Sequence, residues 1–302
     1  MTSPSEDRSA ESGGWASETA EIVKTVVYAL VIALVLRVLL FQPFTIPSAS
    51  MEPNLYRGDY IIVTKWSYGW SHHSIPFSPP WFKGRIFFHA PKRGDIIVFK
   101  LPASGHIDFI KRLIGLPGDR IQMKNGQLYI NDKPVQEQPL APPKPVAGAE
   151  DPDGVKALRE TNPEGRSYDI QLYPDFAAQS GAPAEAHTTP DPHNTVVYTI
   201  PQHCYFMMGD NRDDSLDSRF DPGLFPDDPK LGGCGLNNGL PSSPNSPGVG
   251  FVPEENLVGK AQLVLLSWDT GVDDNDHSKM TLFKPWTWFT DARPGRFFHT
   301  LH

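Results

Sequence analysis

Two serine hydroxyls stand two residues apart in a short stretch with a proline at each end, Pro47-Ser48-Ala49-Ser50-Met51-Glu52-Pro53. In an extended backbone, residues i and i+2 point to the same face, so Ser48 and Ser50 can present their hydroxyls together. A serine becomes a nucleophile only when a base removes its proton. The same composition is also typical of a plain turn, so this stretch alone favours a turn and a nucleophilic site equally.

The base that such a serine needs is a histidine or a lysine with a lowered pKa. No histidine has an evident triad setting, and the Gly-x-Ser-x-Gly motif does not occur. Burial among apolar side chains lowers the pKa of a lysine, because it disfavours the ammonium form. Lys111 lies in a strongly apolar run and is the first candidate, while Lys65 and Lys100 lie in strand-like runs and are its rivals.

The composition limits the classes of function. The chain has 302 residues and a formal net charge of −8 without a basic run, which makes nucleic-acid binding a poor hypothesis. The two cysteines, Cys204 and Cys234, do not form a Cys-x-x-Cys pair and so do not indicate a zinc site. Whether they form a disulfide is left open. Adjacent histidines such as His72 and His73 rarely converge on one metal, so we expect no metal and no cofactor.

The N-terminal region contains an apolar segment long enough to cross a membrane. Residues 1–20 are polar and acidic and are predicted to be a disordered tail, and residues 21–43 are predicted to be a transmembrane helix. Arg37 lies near one end of this span, where its guanidinium can reach the head groups. An uncleaved anchor is favoured over a cleaved signal peptide, because the preceding tail is acidic where a signal peptide is basic.

From residue 44 onwards the pattern is typical of β-strands. The fold is predicted to be mainly β, with an antiparallel β-sheet core over 44–302 and a hairpin that bends at Asn125-Gly126. Residues 134–195 are expected to form an inserted smaller subdomain, and 221–250 a loop insertion. The aromatic stretch 66–89 is interpreted as buried or at a membrane interface. The aromatic C-terminal tail suits an interfacial segment or a short helix packed on the core.

Four stretches resemble the signature boxes of bacterial type I signal peptidases, which are Ser-Lys endopeptidases. They are 47–51, 92–99, 109–119 and 209–219, and they follow the family's order behind the expected anchor. The resemblance implies that Ser50 is the nucleophile. It implies that Lys111 is the general base, which activates Ser50 and later the deacylating water.

The resemblance also implies roles for the residues around this pair. Ser215 would hydrogen-bond and orient Lys111, and Ser48 would form an oxyanion hole with the backbone N–H of Ser50. Ion pairs would hold the site in shape, formed by Asp210, Asp217, Arg219 and Arg112. Shallow pockets for small side chains would be lined by Ile46, Met51, Leu55, Phe109 and Ile110. The family often has glycine where this chain has Ala49, which is small enough to be tolerated.

The resemblance implies cleavage of signal peptides from exported preproteins after Ala-x-Ala-like sequences. The expected partners are those signal peptides and the lipid bilayer, with no nucleic acid. The expected location is the bacterial inner membrane, in a single pass, with the tail 1–20 in the cytoplasm and the peptidase domain on the periplasmic side. Two alternatives are a Ser-Lys peptidase of the self-cleaving repressor kind, which the anchor disfavours, and a non-enzymatic anchored β-domain, which predicts no dependence on Ser50.

Overall fold

The computed structural model describes residues 12–75, 77–143, 145–146, 154–173, 192–225, 227–235, 248–269 and 286–301. It begins with one long helix, α1 (Ser12–Leu39). Residues 12–20, which were predicted to belong to a disordered tail 1–20, form the first part of this helix. Residues 1–11 of that tail lie outside the described residues. The helix ends before the predicted residue 43, because Pro43 cannot continue it and lies in a strand.

Helix α1 is apolar on all sides along most of its length. Ser17–Leu39 contains an 18-residue window with a mean hydropathy of 2.4, and none of that window is buried inside the protein. A helix that is apolar on every side needs apolar surroundings along its whole length. The length and composition of this helix are therefore sufficient to cross a hydrocarbon core of ~30 Å.

Strands make up most of the remaining chain. In chain order they are β1 (Phe41–Thr45), β2 (Asp59–Thr64), β3 (Ile96–Lys100), β4 (Asp108–Gly115), β5 (Arg120–Lys124), β6 (Gln127–Ile130), β7 (Lys133–Pro134), β8 (Gln136–Pro139), β9 (Lys156–Thr161), β10 (Ser167–Leu172), β11 (Tyr198–Thr199), β12 (Cys204–Met208), β13 (Val252–Pro253), β14 (Leu257–Ser267) and β15 (His299–Thr300). The prediction of a mainly β fold is confirmed.

One large antiparallel sheet carries the residues of interest. Its strand order is β1-β2-β14-β3-β4-β12-β13, and β15 pairs with β14. Strand β4 lies between β3 and β12 and is buried at six consecutive positions from Ile110. A strand that is covered on both faces is mostly apolar in sequence, and in β4 the apolar residues are interrupted by Lys111 and Arg112. Both of these charged side chains are buried, whereas Asp108 at the start of the strand is exposed.

Two smaller sheets complete the described fold. Strands β5, β6, β7 and β11 form one of them, and its hairpin bends at Asn125 and Gly126, which both have positive φ as a two-residue turn requires. Strands β8, β9 and β10 form the other, within the range predicted as an inserted subdomain. Parts of the two predicted insertions lie outside the described residues, namely 144, 147–153, 174–191, 226 and 236–247.

The aromatic stretch 66–89 is folded against the large sheet without forming a strand of it. The Arg85 guanidinium links the stretch to the sheet. It donates to the carbonyl of Gly69 within the stretch at 2.7 Å and to the carbonyl of Leu257 on β14 at 2.7 Å. The interpretation that this stretch is buried holds for Tyr68, whereas Trp81 is exposed and its position at a membrane interface stays a prediction. In the C-terminal tail, Leu301 is buried in the core, so part of the tail packs on the sheet.

The question of the two cysteines is resolved by the structure. Cys204 and Cys234 form a disulfide, with their Cα atoms 5.8 Å apart and a separation of 30 positions in the sequence. Cys204 begins β12, so the disulfide ties the first part of the loop insertion to the large sheet. Closing a loop of this length stabilises the fold by about 3–4 kcal/mol in the chain-entropy account.

A buried ion pair joins the β8–β10 sheet to the polar turn that follows β12. Glu160 on β9 accepts two hydrogen bonds of 2.6 Å from the Arg212 guanidinium, and both side chains are almost fully buried. The Arg212 Nε also donates to the carbonyl of Gly209 at 3.2 Å. The small sheet therefore supports the turn that begins at Gly209.

Glu160→Ala should lower the free energy of unfolding by about 3–5 kcal/mol, because it leaves the buried Arg212 cation without its partner. Chemical denaturation followed by circular dichroism measures this loss. Arg159→Ala is the matched control on the same strand, since Arg159 pairs with Asp169 at the surface. It should cost much less. Equal losses for the two variants would contradict the account of Glu160 as a buried support.

Candidate active site

The turn that carries Ser50 is built by its own backbone. Glu52 N donates to Ala49 O at 2.9 Å, and Leu55 N donates to Met51 O at 2.9 Å. These bonds form a compact turn directly after β1, with Ala49 and Met51 fully buried beneath it. The side chain of Ser50 is consequently held on a rigid, buried base.

Lys111 reaches this turn from the centre of the large sheet. Its Nζ lies 2.5 Å from Ser50 Oγ and donates a hydrogen bond to it. Lys111 is 4% exposed and Ser50 is 6% exposed. Burial lowers the pKa of Lys111 to about 8, against the opposing charges of Asp217, Asp214 and Asp210. An amine in this state can accept a proton from the neighbouring hydroxyl near neutral pH.

The two rival lysines lie elsewhere. Lys65 is buried and its pKa is also lowered to about 8 by burial, but its Nζ donates to the Ser74 carbonyl at 2.5 Å. The Lys100 Nζ forms an ion pair with Asp108 at 3.0 Å. Of the three candidates, Lys111 is the lysine whose amine contacts a serine hydroxyl.

Ser48 and Ser50 present their hydroxyls together, as the spacing predicts. The two Oγ atoms are 3.3 Å apart, and Ser48 is exposed whereas Ser50 is buried. A hydroxyl at the solvent side of a nucleophile is placed to donate to an oxygen of a bound carbonyl group.

Asp217 is buried beside Lys111 but is bound to other groups. Its carboxylate accepts hydrogen bonds from Arg219 Nε at 2.9 Å, from Arg219 Nη2 at 2.9 Å and from Gly209 N at 3.1 Å. Burial raises the pKa of Asp217, but the Arg219 charge and these hydrogen bonds outweigh it, so the pKa lies below its ordinary value. The carboxylate therefore stays ionised and paired with Arg219.

The hydrogen-bond partner of Ser215 differs from the predicted one. Its hydroxyl donates to Asp217 Oδ2 at 2.9 Å, and within the described residues it forms no hydrogen bond with Lys111. The Ser215 hydroxyl gives its one proton to the Asp217 carboxylate, while the Lys111 amine donates to Ser50 Oγ. Ser215 nevertheless lies close to the nucleophile, because a Cβ added at Gly209 would meet both Ser215 Oγ at 2.3 Å and Ser50 O at 2.5 Å.

Asp210 and Arg112 form a second buried pair. Arg112 Nε donates to Asp210 Oδ1 at 2.7 Å and Arg112 Nη2 donates to Asp210 Oδ2 at 2.8 Å. Burial lowers the pKa of Arg112, but the Asp210 carboxylate outweighs it and the pKa is raised. Arg112 directly follows Lys111 on β4, so this pair fixes the strand against the turn that begins at Gly209.

Four of the five predicted pocket residues lie together. Ile46, Met51, Leu55 and Ile110 belong to one buried cluster. Phe109 packs against a different cluster on the other face of β4, because successive strand residues alternate between faces. The Phe109 ring lies 5.6 Å from Lys111 Nζ and forms part of the apolar wall around the amine.

The sequence analysis missed several residues that support this site. Glu160 is one, since its pairing with Arg212 joins segments 52 residues apart. Gly209 is another, although its place at the start of a recognised stretch was a signal for a close approach. Asn54 is the third, and its side chain donates to Asp210. Among the described residues, no group of three or more His, Cys, Asp or Glu side chains is placed to hold a metal ion.

Comparison with known proteins identifies the family of this chain. A family model described as signal peptidase, peptidase S26, matches residues 19–268. Signal peptidase I of Rickettsia akari (strain Hartford) is 37% identical over 284 residues, covering 91% of this chain and 90% of the relative. Signal peptidase I of Rickettsia typhi (strain ATCC VR-144 / Wilmington) is 38% identical over 283 residues, covering 91% of each. The chain therefore belongs to the signal peptidase family, peptidase S26, and is a serine endopeptidase.

Proposed function

We propose that this chain removes signal peptides from exported preproteins, cutting after Ala-x-Ala-like sequences with Ser50 as nucleophile and Lys111 as general base. The observation that supports this proposal most is the 2.5 Å contact between the Lys111 amine and the Ser50 hydroxyl in a buried site. Family membership supplies the class of reaction. The contact supplies the pair of groups that carries it out.

In the first step, neutral Lys111 accepts the proton of Ser50 as Oγ attacks the scissile carbonyl carbon. The carbonyl oxygen gains negative charge, which the Ser48 hydroxyl and the Ser50 backbone N–H stabilise. One such donor contributes about 3 kcal/mol to the transition state. The Lys111 ammonium then gives its proton to the leaving amine, which becomes the N-terminus of the mature protein. The signal peptide remains as an ester on Ser50.

In the second step, Lys111 is again neutral and accepts a proton from a water molecule that attacks the ester carbonyl. The tetrahedral intermediate collapses, Ser50 recovers its proton from Lys111, and the signal peptide leaves with a free carboxylate. With a pKa of about 8, roughly a tenth of the Lys111 population is neutral at pH 7. Falling pH protonates the rest and removes the base.

The preference for small side chains follows from the surroundings of Ser50. Met51 directly follows the nucleophile and is fully buried, together with Ile46, Leu55 and Ile110. These closely packed aliphatic side chains form a wall that accepts a methyl group of the substrate next to Ser50. A larger substrate side chain is excluded, because the wall residues could move apart only by losing their own packing contacts. Phe109 would border the same subsite from the Lys111 side.

Ser50→Ala and Lys111→Met should each lower kcat by at least about 10³-fold, because nucleophile and base act as one unit. Lys111→Arg should be equally inactive, since a guanidinium does not give up its proton. A preprotein cleavage assay, with folding checked by circular dichroism, measures these losses. Lys100→Met is the matched control and should retain activity, because its amine pairs with Asp108. Normal turnover by either folded variant, Ser50→Ala or Lys111→Met, would refute the proposal.

The same proposal places the chain in the bacterial inner membrane, in a single pass, with the peptidase domain on the periplasmic side. The exposed apolar helix α1 supports an anchor. It leads directly into β1, and Trp70 Nε1 donates to Leu39 O at 3.0 Å while Lys65 N donates to Leu40 O at 3.0 Å. These contacts fix the end of the helix to the sheet. Ser50 would thus lie near the membrane surface, where a cleavage site emerges.

Protease added to spheroplasts should digest a tag at the C-terminus and spare a tag at the N-terminus, because the proposed orientation exposes the catalytic sheet on the outer side. Immunoblotting of the two tags measures this. After detergent solubilisation both tags should be digested, which controls for the accessibility of each site. Protection of the C-terminal tag in intact spheroplasts would contradict the orientation.

A further inference from the structure

Asn54 links the nucleophile turn to a carboxylate that the proposed mechanism does not use. Its Nδ2 donates to Asp210 Oδ2 at 2.8 Å and to the backbone carbonyl of Asp169 at 2.7 Å. Both neighbours are acceptors only, so the amide can face them only with its NH2 group. The residue is half-buried, and its orientation is fixed by these two bonds.

The Asp210 carboxylate is shared by two segments of the site. Arg112, which follows Lys111, donates to both of its oxygens, and Asn54, four residues after Ser50, donates to one of them. The backbone adds a parallel link, since Asn211 N donates to Ser50 O at 3.2 Å. The strand of the base and the turn of the nucleophile are thus both held against residues 210–211.

The backbone of Asn54 is held from the opposite side. Arg296 Nη2 donates to Asn54 O at 3.0 Å and to Asp59 Oδ2 at 2.5 Å, and its guanidinium stacks on the Tyr56 ring at 4.4 Å. The main chain at Asn54 therefore has little freedom to move. Through its side-chain hydrogen bond, Asn54 holds the turn at a fixed position relative to Asp210.

We infer that Asn54 is a positioning residue, which sets the distance between the Ser50 hydroxyl and the Lys111 amine through the Asp210 carboxylate. This inference rests on the proposed roles of Ser50 and Lys111. Without the Asn54 side chain, the turn keeps its internal backbone bonds but loses a side-chain link to the Arg112–Asp210 pair. A displacement of about 1 Å between reacting groups is enough to lower the rate by as much as 10²-fold.

Asn54→Ala should lower kcat about ten-fold or more while KM changes by less than about two-fold, because the reacting pair is misaligned and substrate contacts are kept. Asn54→Asp should lower kcat as well and also move the acid limb of the pH–rate profile to higher pH. The added negative charge favours the Lys111 ammonium, on which Asp217, Asp214, Asp210 and Arg219 already act. Preprotein cleavage measured across a pH series gives both quantities.

The matched control is Asn131→Asp, which changes an amide that donates to another aspartate, Asp119, at the same distance of 2.8 Å. It should leave kcat and the acid limb unchanged. In an Asp210→Asn background, the further loss caused by Asn54→Ala should be smaller than in the unmodified protein, as expected for two residues that act through one contact.

A folded Asn54→Ala enzyme with unchanged kcat would overturn the inference. So would a folded Asn54→Asp enzyme with unchanged kcat. Ser50→Ala, run beside these variants, separates this failure from failure of the proposed function. If Ser50→Ala is inactive and Asn54→Ala is fully active, Asn54 is not a positioning residue while the Ser-Lys proposal stands. If Ser50→Ala is active, the proposed function itself fails.

Discussion

The central constraint of this structure is that a lysine amine is buried against a serine hydroxyl, and that no carboxylate of the described residues is bound to this amine. Burial disfavours the ammonium, and a directly paired carboxylate would restore it and remove the base. Three carboxylates lie close enough to act on Lys111 through their charge. The amine itself hydrogen-bonds Ser50. The rest of the site can be understood as a way of keeping those charges in place without letting them bind the amine.

Arginine side chains hold two of these carboxylates, Asp217 and Asp210, and a third arginine holds Glu160 in the same way. Arg219 binds Asp217, Arg112 binds Asp210, and Arg212 binds Glu160, each through a pair of hydrogen bonds between buried groups. Burying such pairs adds little net stability, but removing one partner is costly. The pairs therefore act mainly as fixed joints. They connect the nucleophile turn, strand β4, the turn after β12 and the β8–β10 sheet into one rigid unit.

The sequence predicted the elements that depend on local patterns. The apolar run around Lys111 indicated a buried lysine, and the spacing of Ser48 and Ser50 indicated hydroxyls on one face. The burial of Lys111 follows from its apolar neighbours. The two hydroxyls do lie 3.3 Å apart, but they do so on a turn and not on the extended chain that the spacing argument assumed. The boundaries of α1 were predicted less well, because a helix continues into polar residues and a proline ends it. The residue pattern alone left Lys65 and Lys100 as rivals of Lys111, and the family resemblance favoured Lys111. In the structure, Lys111 is the one of these three whose amine contacts a serine hydroxyl.

Long-range pairs could not be predicted from a single sequence. Glu160 with Arg212, Asn54 with Asp210, and Cys204 with Cys234 join residues whose separation follows no period. Ser215 lies near the site, but its hydroxyl donates to Asp217, and the Lys111 amine donates to Ser50. Sequence patterns therefore indicate which residues meet, and the three-dimensional arrangement decides which hydrogen bonds form.

The most direct measurement of the central claim is the titration of the Lys111 amine in the folded protein. The ¹³Cε resonance of Lys111, assigned by its loss in Lys111→Arg, should titrate with a midpoint of about 8. In the unfolded chain the midpoint should return to ~10.4. The pKa of Lys111 should be lower in the folded protein than in the unfolded chain, because burial disfavours the ammonium and unfolding restores its hydration. A midpoint near 10.4 in the folded protein would leave too little neutral amine to activate Ser50 and would contradict the account.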